Sequence, residues 1–243
     1  MFGDEKHDYQ EPGASYGVLS RRTRQHLINV YIRLGITVLF TALGGFLAAQ
    51  GYIPEGRLAP ILAGAGSLLV VQSTTLNATV RSVFLYGFGF LEGWGLAPLT
   101  NRMLEVEPGM LYQSALMSLL VFASFSATAL YSQRRTFIYY GGVLMSAMLI
   151  LAMAGLANLL YPTRFVFDIL VYVGLLVFAF MVAFHTQVIV ERSESERNLR
   201  LDSINDSVML FNNLIAVFVR IAIIMMQQRE REEERRRKGN KKQ

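Results

Sequence analysis

The sequence predicts an all-α membrane protein, with six transmembrane helices around a central seventh helix that carries a polar stripe. Three observations lead there. Of 243 residues, 53% are hydrophobic and only 17% charged, where soluble domains carry about a quarter. Charge-free runs recur along the chain, and about 20 apolar residues suffice to cross the roughly 30 Å hydrocarbon layer. The last run is broken by polar side chains at a regular interval.

The elements follow in order. Residues 1–33 form a polar arm with five basic and four acidic residues. Residues 34–54, 58–80, 108–133, 136–163 and 169–190 contain no charge, and 82–101 is interrupted only by Glu92. These are the six spans. The seventh, 207–226, is apolar except for Asn212, Asn213 and Arg220. The helical transmembrane domain is therefore 34–226, and 227–243 is a charged tail. Strands are excluded, because the runs are continuous rather than alternating and backbone groups in lipid must be satisfied within the segment.

Charge is distributed unevenly. The body, 34–226, holds ten basic and ten acidic residues, while the tail holds eight basic and four acidic. Most of the net charge of +5 thus sits in the tail. Counting Lys and Arg in the short loops orients the spans. With the N-terminus cytosolic, eleven basic residues lie inside and three (Arg57, Arg102, Arg164) outside. A full seventh crossing would put the basic tail outside, against that rule. Either the seventh segment dips in and returns, or the rule yields to packing; a cytosolic tail is the expectation.

Several functions are excluded. There is no cysteine, so no disulfide, thiol nucleophile or Cys-ligated metal is expected. A polar start argues against a cleavable signal peptide and leaves targeting to the first membrane helix. Short connections leave no room for a soluble catalytic domain. Ser67 lies in Gly-Ala-Gly-Ser-Leu, which is not the nucleophile elbow, and no metalloprotease or P-loop motif is present. No enzymatic activity, metal or cofactor is expected. Nucleic acid is a poor partner for a membrane-tethered tail, whereas anionic lipid headgroups suit its basic end.

The polar residues inside the membrane carry the chemistry. A charge at mid-span costs about 2.5–3.5 kcal/mol on insertion scales, so such residues face an interior or a cavity. Glu92 is the one mid-span carboxylate, within Gly89-Phe-Leu-Glu-Gly93, a small-xxx-small pattern that admits a second helix closely. It is read either as a proton- or cation-binding group or as a protonated fastener. His185 is the one histidine within a span, and an ordinary pKa near 6.5 makes it the natural pH-sensitive group. Asp206, Asn213, Arg220 and Gln227 recur every seven residues, a spacing that drifts only ~20° around a helix. They form one stripe, flanked by Asn212, which belongs against protein or water rather than lipid.

Ordered segments then show a resemblance. His26-Leu-Ile-Asn-Val-Tyr31 stands before the first span, and Gly87-Phe-Gly-Phe-Leu-Glu-Gly-Trp-Gly-Leu-Ala-Pro98 in the third. Ala129-Leu-Tyr-Ser-Gln-Arg-Arg135, Gly141-Gly-Val-Leu-Met-Ser-Ala147, Tyr172-Val-Gly-Leu175 and Thr186-Gln-Val-Ile-Val-Glu191 follow. In order and spacing these resemble the Bax inhibitor proteins of the transmembrane Bax-inhibitor-motif family.

The resemblance implies an endoplasmic-reticulum membrane protein that suppresses cell death, with apoptosis-regulating membrane proteins as partners. It also implies a pH-dependent calcium leak through a pair of aspartates sharing a proton. At the two aspartate positions this chain has His185, before Thr186-Gln187, and Asn213, after Leu210-Phe211-Asn212. Arg81 fits a basic position at the start of the third helix, and Glu92 replaces a small polar residue. The expected gate and pH-sensing residues are thus His185, Asn213 and Glu92, supported by Asn212, Arg81, Arg220 and Asp206. The alternative is a non-conducting interaction or scaffold protein of the membrane.

Overall fold

The computed structural model describes residues 19–54, 58–73, 75–132, 136–195 and 201–240. Among them every regular element is helical: α1 (Arg21–Ala49), α2 (Leu58–Gln72), α3 (Ala78–Gly95), α4 (Ala97–Val106), α5 (Pro108–Tyr131), α6 (Thr136–Tyr139), α7 (Gly141–Leu160), α8 (Arg164–Ser195) and α9 (Ser203–Asn240). Five of them, α1, α5, α7, α8 and α9, are long and apolar enough to cross a membrane. The chain is an all-α, multi-pass membrane protein.

Helix boundaries follow local chemistry. The Ser20 hydroxyl accepts from the Thr23 amide at 3.2 Å, an N-cap that starts α1 thirteen residues before its charge-free run. At the other end Gly51 takes φ +78°. There Gly51 N donates to Ala48 O and Tyr52 N to Leu47 O, both at 3.1 Å, the paired bonds of a left-handed C-cap that favours glycine.

Two expected spans are shorter than their apolar runs. The run 58–80 yields α2, which stops at Gln72. Polar Ser73, Thr75 and Asn77 follow, and their side chains compete for local hydrogen bonds; the Ser73 and Thr75 hydroxyls bond each other at 2.9 Å. The run 82–101 divides at Leu96, whose N–H closes α3 on Glu92 O. Pro98 then sits in the first turn of α4, where its missing N–H is no loss.

Helices α1 and α3 approach backbone to backbone. A Cβ on Gly93 would lie 1.9 Å from Thr41 O, so only glycine fits. The small-xxx-small pattern read around Glu92 therefore has α1 as its partner.

The seventh expected span is α9, and it does not dip and return. Asp202 Oδ1 accepts from the Ile204 and Asn205 amides at 3.1 and 3.3 Å, capping a continuous helix of 38 residues, roughly 57 Å at 1.5 Å per residue. Its first turns meet His26 of α1 and Arg192 near the end of α8. Its far part meets Asp168 at the start of α8 and Glu107 at the start of α5. The tail thus leaves the bundle opposite the beginning of α1. That corrects the expected return of the tail: α9 runs on to Asn240 without turning back. The unbroken course of α9 lets its polar stripe find partners along α8, from Arg192 to Asp168.

Helix α9 packs against α1, α2, α3, α4, α5 and α8. Leu210, Phe211 and Leu214 form the core with Val30, Phe88, Phe122, Val182 and Ile189. By contrast α7 packs on α8 and turns Leu149, Ile150 and Met153 outward. The central place predicted for the striped helix is where it lies.

Candidate functional site

The stripe residues of α9 face α8 in antiparallel register. The first two steps of seven along α9 are matched by steps of seven backwards along α8, from Arg192 to His185 to Phe178, and the third by a step of ten, to Asp168. The seam so formed changes character at every rung.

The first rung is ionic and buried. The His26 ring N–H at Nε2 donates to Asp206 Oδ2 at 2.7 Å, and Arg192 Nη1 donates to Oδ1 at 3.3 Å. Asp206 is 1% exposed and His26 6%. Beside it, Arg81 donates from Nε to Val71 O at 2.7 Å and from Nη2 to Asp202 Oδ2 at 2.6 Å. Arg81 thereby ties the end of α2, the start of α3 and the cap of α9.

The second rung is neutral. Asn213 Nδ2 donates to His185 Nδ1 at 2.7 Å, which leaves the ring proton on Nε2. Asn213 is buried, His185 half-buried and Asn212 exposed. The neighbouring turn of α8 holds the end of α5 and α6 in place. Gln187 accepts from the Phe137 amide at 2.7 Å and donates to the Ser132 hydroxyl at 2.6 Å.

The third rung carries a cation. The Arg220 guanidinium lies 4.2 Å from the Phe178 ring centre, and Nη1 donates to Ala216 O at 2.9 Å. Its Nε is buried without a hydrogen-bond partner. Gly174 makes room for it, since a Cβ there would sit 2.4 Å from that Nε. The fourth rung pairs an amide with a carboxylate, Gln227 Nε2 donating to Asp168 Oδ1 at 2.9 Å.

The structure thus brings His185 and Asn213 together and sets Asp206 and Arg220 one rung to either side. It does not bring Glu92 to them. That carboxylate lies half-buried beside Gly64 of α2, 4.0 Å from where a Cβ would stand. Among the described residues no hydrogen bond joins Glu92 to His185 or Asn213. The sequence reading missed the seam's partners His26, Arg192, Phe178 and Asp168. For His26 a signal existed: Thr23, His26, Leu27, Val30, Leu34 and Thr37, all buried, repeat at the three- and four-residue spacing of one helix face.

Fold and site together define a class: a multi-pass helical membrane protein whose central helix carries a polar seam. The family model described as "Inhibitor of apoptosis-promoting Bax1" matches residues 23–230, and the chain belongs to that family. It is 31% identical over 211 residues to Bax inhibitor 1 of Homo sapiens, covering 84% of this chain and 86% of that protein. Probable Bax inhibitor 1 of Paralichthys olivaceus is 29% identical over 213 residues, covering 86% and 89%. Bax inhibitor 1 of Arabidopsis thaliana is 28% identical over 209 residues, covering 85% and 83%.

Proposed function

We propose that this chain is a non-enzymatic regulator of cell death in the endoplasmic-reticulum membrane, with its N-terminus cytosolic, and that its central seam holds calcium back. The observation that carries the second half is the His185–Asn213 bond. It occupies the place where the resemblance implies two aspartates.

The physical argument is direct. Two close carboxylates hold one proton between them and attract a divalent cation when ionised. A histidine and an asparagine bonded to each other offer no negative charge. Calcium takes six to eight oxygen ligands, several of them usually carboxylate. The next rung adds Arg220, which repels cations. Glu92, beside Gly64 of α2, is a single carboxylate and no substitute. Protonation of His185 would remove the acceptor at Nδ1 and add a positive charge one rung from Arg220, which is the form pH sensing takes here.

The test is calcium efflux from loaded liposomes. The unchanged chain should leak at least about tenfold more slowly than the double variant H185D/N213D, which restores the acidic pair. E92Q should leave the slow rate unchanged. Equal rates for the unchanged chain and the double variant would overturn the reading. Protection of cells challenged with a pro-apoptotic stimulus, by the unchanged chain and the double variant alike, would separate cell-death regulation from calcium flux.

A further inference from the structure

A second feature lies on the other side of α9, away from α8. Helices α1 and α5 both pack on α9, and near the N-terminal end of the bundle they meet. Tyr31 and Phe122 stack edge to face, and the Tyr31 hydroxyl bonds Ser126. Towards the opposite end α1 and α5 part, and α4 lies between them. The result is a crevice of about 460 Å³, floored by Leu214, Ile215 and Phe218 of α9 and walled by α1, α4 and α5. At its mouth Phe46 and Leu119, which line it, are exposed on the outer surface.

The polar atoms of the lining decide what can enter. Thr41 donates its hydroxyl to Thr37 O at 2.9 Å, Ser118 to Ser114 O at 2.6 Å and Thr100 to Ala97 O at 3.0 Å. Each hydroxyl is turned back onto its own helix. The one further polar side chain of the lining is Gln50, exposed just past the end of α1. A water in an apolar pocket needs two to four polar partners, and with the hydroxyl donors turned away these walls are poor in them. An unfilled void would leave the lining atoms without dispersion partners. The crevice is also continuous with the lipid-facing surface of α1 and α5, and lipid tails are as apolar as leucine side chains.

We propose that the crevice is a binding site for one acyl chain of a bilayer phospholipid, which enters between α1 and α5 and lies against α9. The floor begins at Leu214, the residue after the Asn213 that bonds His185. An inserted chain therefore touches the central helix directly beside the neutral rung. This site does not depend on the ion reading above.

The experiment uses the full chain in phosphatidylcholine vesicles doped with a phosphatidylcholine that bears a photoreactive diazirine in mid-chain. After irradiation, labelled peptides are mapped by mass spectrometry. Labels are expected within Leu214–Phe218, although α9 is the central helix. Ala115→Phe, which fills the crevice from α5, should lower that labelling by about tenfold. Ala152→Phe on the outer face of α7 should not. Helix content by circular dichroism and labelling of α7 show that each variant is folded and embedded. Labels confined to outer faces, or an A115F variant labelled in α9 like the unchanged chain, would overturn the proposal. So would a crosslinked dimer through α1 and α5 that A115F abolishes, because the crevice would then hold a second copy.

Discussion

The first and second rungs of the α8–α9 seam are seven residues apart and built on opposite principles. At the first, Asp206 is enclosed with His26 and Arg192 around it, so a carboxylate buried near the end of the bundle meets a guanidinium and a ring N–H. At the second, His185 and Asn213 meet with no formal charge at all. The difference follows from depth. The ionic rung sits where α1 begins, in the thirteen residues before the charge-free run, and the neutral one lies within the two apolar spans. Between these two rungs the charge is kept where partners are dense and omitted within the apolar spans; Arg220, one rung further, is the exception and rests on the Phe178 ring.

This contrast can be broken at either rung. Asp206→Ala should have the largest effect, about 3–5 kcal/mol of stability, because removing one partner of a buried ion pair strands the other. A denaturant series in mild detergent, followed by circular dichroism, measures it. Asp206→Asn, which keeps the volume and one acceptor, should lose less.

Asn213→Ala comes next. It leaves the His185 ring nitrogen without its donor, which corresponds to about 1–3 kcal/mol for a buried polar group. The pairwise replacement H185F/N213L should recover most of that loss, since exchanging both partners for apolar groups is nearly neutral. A double variant as unstable as N213A would show that the rung holds the helices by more than this bond. Smallest of all is Arg229→Ala. Its pair with Glu107, at 2.7 Å, is part-exposed, with 43% and 38% of the two side chains accessible. Surface pairs of this kind contribute up to about 1 kcal/mol, so the midpoint should barely move.

Much of this was legible in the residues. Charge-free runs gave the membrane fold, and the seven-residue recurrence of Asp206, Asn213, Arg220 and Gln227 gave the central helix before any partner was known. What it could not give was the partner of each polar residue, because that depends on the register of α8 against α9. His26 was invisible to a reading that began each helix at its apolar run, since α1 starts at Arg21 under the control of a serine cap. The break at Leu96 was masked by hydropathy, which does not register that Gly95 and Pro98 together favour two helices over one. Counting basic residues favoured a returning segment over the unbroken α9, because the count weighs charge and not the fit of a whole helix face to its neighbour.

The contact between α8 and α9 at the neutral rung bears most of the weight, and the absence of native cysteine allows it to be measured cleanly. Cysteines placed at His185 and Asn213, treated with a short bifunctional thiol crosslinker in the membrane, should join with high yield and without dimer formation. The pair H185C/E92C should stay unlinked under the same conditions. Failure of the first pair, or equal linkage of the second, would contradict the placement of His185 against Asn213 and with it the neutral seam.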